Sequence, residues 1–174
     1  MTGQTNISDH GRRGSPLDSI NNRDTKHMTT SDTDRLEQEV EDPGPPRKYQ
    51  VDFKALEASG RSAAFMVQGR CCWQCQSVID EQPELAGDLN YLMKQIATDC
   101  SQRADYLLPG TPLTEAVFRL MVATGNKPLT IQEIADQLST AWASIIYMKD
   151  LSEDLLSRLL DTENVYMIRA VARK

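Results

Sequence analysis

Between Arg70 and Cys75 the chain reads Arg-Cys-Cys-Trp-Gln-Cys, and a fourth cysteine stands at position 100. Cys72-x-x-Cys75 has the spacing that lets two thiolates reach one ion from a tight knuckle, and Cys100 supplies a third ligand. A closed zinc site needs a fourth, so Cys71 has to complete it, although its neighbour Cys72 makes the two awkward to aim at one ion. The two histidines, His10 and His27, lie in a polar N-terminal stretch away from the cluster. Zinc held by Cys71, Cys72, Cys75 and Cys100 is therefore one expectation, on a motif less specific than a pair of CxxC knuckles. A second is simple packing, which suits Cys100 because it continues an apolar helical stripe. A redox CxxC is the third, but the βαβ unit beside which thioredoxin-type motifs sit is not visible. Packing ranks first and metal second. Trp73 reads as a packing anchor over the cluster.

Other chemistry is thinly represented. Gly-rich phosphate loops, a nucleophile elbow and a spaced carboxylate pair are not apparent, and a cysteine nucleophile lacks a partner histidine in the region expected to fold. The sequence thus points away from an enzyme. A net charge of −6 gives no overall attraction to phosphate backbones or anionic membranes. Neither a signal-peptide core nor a long apolar run appears, so the expected setting is the cytoplasm, where thiols stay reduced.

The elements that must position the cysteines divide the chain in three. Residues 1–48 are rich in Ser, Thr, Asn, Asp, Gly and Arg and end in Asp42-Pro-Gly-Pro-Pro46. That composition predicts a disordered tail. Within it Ser31 to Val40, with acids around Leu36, reads as a solvated charge run, with a short docking helix as the alternative. In residues 49–110, Tyr49 to Phe53 alternates as a strand does, and Ala63 to Val67 is a second apolar run that pairs with it as a hairpin. Leu56 to Ala64 has helical character as the competing choice. Leu85, Leu89, Leu92, Ile96 and Cys100 then fall on one stripe of an amphipathic helix closed by Pro109-Gly-Thr-Pro112.

Residues 111–174 carry the clearest pattern. Thr111 caps a helix with Pro112 at its first position, and Leu113, Val117, Leu120 and Met121 face inward until Gly125-Asn-Lys-Pro128. Thr130 and Glu133 form a Thr-x-x-Glu capping box before Ile131, Ile134, Ala135 and Leu138. Asp150 or Ser152 opens a third helix carrying Leu155, Leu156, Leu159 and Leu160, and Val165 to Val171 reads as a strand. Ala141 to Lys149 is ambiguous.

This order, with Lys127-Pro-Leu-Thr-Ile-Gln-Glu-Ile134 and the final strand, resembles a winged-helix domain of the type in the RNA polymerase delta subunit. The resemblance covers about residues 111–171 and implies a tri-helical core with a short β-wing. It leaves DNA binding and protein docking both open, since fold alone does not choose. The expected fold class is thus mainly α with small β: a disordered tail, a short hairpin plus helix, and a C-terminal winged-helix-like domain. The third helix, which enters the major groove in DNA-binding members, presents Glu153, Asp154, Ser157, Arg158 and Asp161. From Thr111 onward seven Lys and Arg face eight Asp and Glu. Phosphate contacts favour a basic surface, so a protein partner outranks DNA. The counterweight is the basic end, Arg169, Arg173 and Lys174. The expected function is a non-enzymatic protein-interaction or regulatory adaptor, with a DNA-binding regulator or an accessory subunit of a larger assembly as alternatives.

Overall fold

The computed structural model describes residues 45–143 and 150–172. The expected disordered tail up to residue 44, with its Ser31 to Val40 stretch, lies outside these residues, as do 144–149 in the ambiguous spacer and the last two residues, Arg173 and Lys174. The described part is mainly helical with a small three-stranded sheet.

Its first strand, β1 (Lys48–Val51), leads directly into α1 (Phe53–Ala58), because the Asp52 carboxylate accepts the backbone N–H of Ala55 and caps the helix. Ser62 caps α2 (Ala63–Gln68) in the same way. The run from Ala63 to Val67 is therefore helical, and the expected hairpin does not form. A short apolar run satisfies either period, and here two N-caps settle it for helix.

The expected long stripe from Leu85 to Cys100 is likewise divided. After α3 (Trp73–Glu81), a 3-10 helix over Pro83–Gly87 precedes Asp88, whose carboxylate accepts the N–H of Tyr91 and restarts the chain as α4 (Leu89–Thr98). A second 3-10 turn, Cys100–Gln102, follows well before Pro109. Leu92, Ile96 and Cys100 keep the buried face the stripe foretold.

Beyond residue 110 the expected order is present. α5 (Leu113–Ala123) starts one residue later than foreseen, with Pro112 rather than Thr111 at the cap position. β2 (Leu129–Thr130) runs straight into α6 (Ile131–Ala141) through the complete capping box, and Ser152 caps α7 (Glu153–Thr162). The terminal strand, β3, is confined to Ile168–Ala170. The carboxylate of Glu163 takes the N–H groups of Tyr166 and Ile168, which holds the residues between in a bend instead of a strand.

β1 lies between β2 and β3 and is antiparallel to both, with Tyr49 opposite Leu129 on one side and Ala170 on the other. The strand partner of β3 thus comes from residues 48–51. Asn126 extends this pairing. Held at φ 57 after Gly125 (φ 70), it accepts the Val51 N–H at 2.8 Å and donates to the Val51 carbonyl at 2.9 Å. Asn and Gly are the residues that tolerate this left-handed backbone, which is why the Gly-Asn pair ends α5 so tightly.

A single core joins the segments on either side of residue 110. Tyr49, Val67, Ile79, Leu92, Ile96 and Cys100 pack in one cluster with Phe118, Met121, Ile134, Leu138, Leu156 and Ile168. Asp42–Lys174 forms one compact unit. Among the described residues, no helix is long and apolar enough to cross a membrane.

Candidate functional site

All four cysteines converge where the start of α3 meets the turn after α4. Cys72 is the N-cap residue of α3, Cys75 lies in its first turn, Cys71 ends the preceding link, and Cys100 opens the 3-10 turn. All four are unbridged; Cys75 and Cys100 are buried, and Cys71 and Cys72 are half-buried.

The link is held by the residue before it. Arg70 donates to the Glu115 carboxylate at 3.0 and 2.6 Å and to the Met66 carbonyl at 2.8 Å. Its guanidinium lies over Phe118 and Tyr166, 5.2 and 5.6 Å from their ring centres, and these rings stack on each other at 4.6 Å. Glu115 also receives Arg119 at 2.7 Å and the Tyr166 hydroxyl at 2.6 Å. Burial disfavours the Glu115 carboxylate, but the hydrogen bonds from Arg70, Arg119 and Tyr166 outweigh it and hold its pKa down to about 2. A fixed ion pair one residue from Cys71 fixes the backbone from which the thiols project.

The sulfurs of Cys71, Cys75 and Cys100 lie within 4.8 Å of one another. A tetrahedral ion with Zn–S bonds of ~2.3 Å needs sulfurs ~3.8 Å apart, so modest side-chain rotation closes this group on a metal. Cys71, just before the α3 cap, and Cys75, in the first turn of α3, build the group with Cys100, and the Cys72-x-x-Cys75 knuckle does not. Cys72 stands outside it, with its sulfur 3.3 Å from that of Cys100 and its backbone N–H 3.2 Å from the same atom. The cluster could hold a metal ion. Desolvation and the Cys75 thiol push Cys71 up, and desolvation is the main cause that takes Cys100 to about 12, so an ion entering here displaces protons.

Cys72 differs. Burial opposes its ionisation, but the backbone N–H of Cys75, the Cys100 thiol, the N–H of Gln74 and the charge of Arg103 together bring it below the ordinary thiol range. It opens onto a cavity of about 420 Å³ between α3 and α4, whose lining includes Cys75, Tyr91, Gln95, Asp99 and Arg103. Arg103 is steered there by Gln74, 3.1 Å away, and by Asp105.

Trp73 does not cover the cluster. It is 67% exposed, because Cys72 and Cys75 take the inward positions at the start of α3. Sequence reasoning also missed Glu115, Arg119 and Tyr166. Nothing local distinguishes Glu115 from an ordinary first-turn helix acid, and its partners are brought in by α5's packing and by the bend before β3. Comparison of the chain with protein-family models, curated proteins and solved structures yields no match.

Proposed function

We propose that the chain is a non-enzymatic protein-docking module of a regulatory adaptor, in which residues 111–171 serve as a winged-helix-like recognition element and the sulfurs of Cys71, Cys75 and Cys100 hold a zinc ion. The observation that carries the docking role is the outward face of α7. Glu153, Asp154 and Asp161 are exposed there, and Arg158, the one base on that helix, is paired with Asp154 at 2.7 Å. Asp161 is partly offset by Arg47 at 3.5 Å, which leaves a polar, acid-rich surface beside β1. Phosphates are repelled by such a face, whereas a basic protein surface complements it. The charge-reversed pair Glu153→Lys and Asp154→Lys tests this. A native-host partner that the wild-type chain retains stoichiometrically, and that this variant loses, supports the reading. Retention of a defined DNA duplex at nanomolar Kd near about 150 mM salt, abolished by Arg158→Ala, overturns it in favour of the DNA-binding alternative.

Zinc is favoured by the donor set, since three sulfurs without a histidine among them suit a borderline-soft ion with no redox chemistry of its own. Elemental analysis of the purified chain tests this. Near-stoichiometric zinc that is lost in Cys75→Ser supports a metal site, and a metal-free, fully folded protein leaves Cys75 and Cys100 as packing.

A further inference from the structure

Cys72 is the thiol that the three-sulfur group does not use, and the structure gives it a partner and an approach route. Its sulfur touches that of Cys100 at 3.3 Å. Cys72 is half-buried on the wall of the 420 Å³ cavity, while Cys100 is fully buried behind it. An oxidant arriving from solvent therefore meets Cys72 first. Polar groups, among them Gln95 and Arg103, line the same cavity and can hydrogen-bond a small peroxide.

We propose that Cys72 and Cys100 are a peroxide-responsive thiol pair, with Cys72 as the attacking thiol and Cys100 as the resolving one. In the first step the Cys72 sulfur attacks the outer oxygen of a hydroperoxide, R–O–O–H. The O–O bond breaks, an S–O bond forms, and the alcohol R–OH leaves with the thiol proton, so Cys72 becomes a sulfenic acid and the peroxide is reduced by two electrons. In the second step the Cys100 sulfur attacks Cys72, the S–O bond breaks, and the hydroxyl departs as water with the Cys100 proton. Two thiols and one hydroperoxide thus give one disulfide, one alcohol and one water. The crosslink ties the start of α3 to the turn after α4. It also withdraws Cys100 from the three-sulfur group, so a bound ion is released. That last consequence rests on the metal reading, whereas the disulfide itself does not.

The full chain is treated with hydrogen peroxide both as purified and after chelation, and the crosslinked peptides are mapped by mass spectrometry while zinc is assayed in parallel. A Cys72–Cys100 crosslink is expected in wild type and is lost in Cys72→Ser, a change at a half-buried position. In Cys100→Ser a dimedone adduct accumulates on Cys72, and in Cys71→Ser the crosslink persists. Crosslinking of Cys71 to Cys75 instead, or a Cys72 that stays reduced in the chelated protein, overturns the proposal. A chain with no zinc that still forms the Cys72–Cys100 bond removes the metal reading and leaves the thiol pair standing.

Discussion

Glu115 is one carboxylate serving two arginines and a tyrosine, and its environment makes it an acid-sensitive joint. With its pKa near 2 in the folded chain against an ordinary value of 4.5, its contribution is fully present above the higher figure. It is lost as pH falls from there through the lower one. A shift of this size corresponds to about 3 kcal/mol, of which roughly 2 kcal/mol is lost by pH ~3. Urea titrations at neutral pH and at pH ~3 should therefore show a wild-type loss of this order that is much reduced in Glu115→Gln. The variant should already be weaker at neutral pH by ~2–4 kcal/mol, because Arg70 is left half-buried without its counter-charge. Equal acid sensitivity in the two proteins would place the pH dependence elsewhere. Of the residues around the cysteines, only the cysteines themselves were legible in the sequence. A thiol announces its chemistry by type, whereas Glu115 acquires its role from neighbours distant along the chain. Which thiols meet was likewise hidden, since the choice of Cys71 over Cys72 depends on where α3 begins.

Among the elements, α6 was read almost residue by residue, and the reason is that its determinants are local. Thr130 accepts the Glu133 N–H at 3.1 Å while the Glu133 carboxylate accepts the Thr130 N–H at 2.7 Å, and Ile131, Ile134 and Leu138 are buried at helical spacing. Thr130→Ala should cost about 1 kcal/mol as a lost cap. Leu138→Ala should cost ~2–5 kcal/mol as a truncation in a closed core. Thermal or urea unfolding measures both, and equal, negligible losses would mean that the helix is held by something other than its cap and its stripe. The middle segment was less legible for a matching reason. Ala63 to Val67 is too short for a period to show, so its state is decided by Ser62 capping Phe65. The partners that β1 does choose, β2 and β3, lie far along the chain, where no local pattern points. Asn126 belongs at this scale too, since its side-chain amide replaces a strand at the end of β1. Asn126→Ala removes both bonds to Val51 and should destabilise by ~1–3 kcal/mol in the same measurement.

For the molecule as a whole, the central position of β1 joins what the sequence divides at residue 110. Tyr49 and Val51 are buried between β2 and β3, so residues 111–172 alone would expose the facing edges of both strands and the core face that Leu92 and Ile96 cover. One core implies one cooperative transition. The two tryptophans allow this to be seen, because Trp73 stands at the start of α3 and Trp142 at the end of α6, its indole N–H donating to the Leu107 carbonyl at 3.1 Å. In Trp73→Phe, a mild change at an exposed position, the fluorescence of Trp142 reports on the end of α6 and its contact with Leu107. Cys100 is carried by the other half, so its accessibility to a thiol reagent reports there. Both probes, and circular dichroism at helical wavelengths, should give the same urea midpoint and slope. A chain beginning at Thr111 should correspondingly fail to give the dispersed amide spectrum of a folded protein. Transitions separated along the urea axis, or a folded chain from Thr111 onward, would mean that the part after residue 110 is an independent domain and that β1 is an addition to its edge.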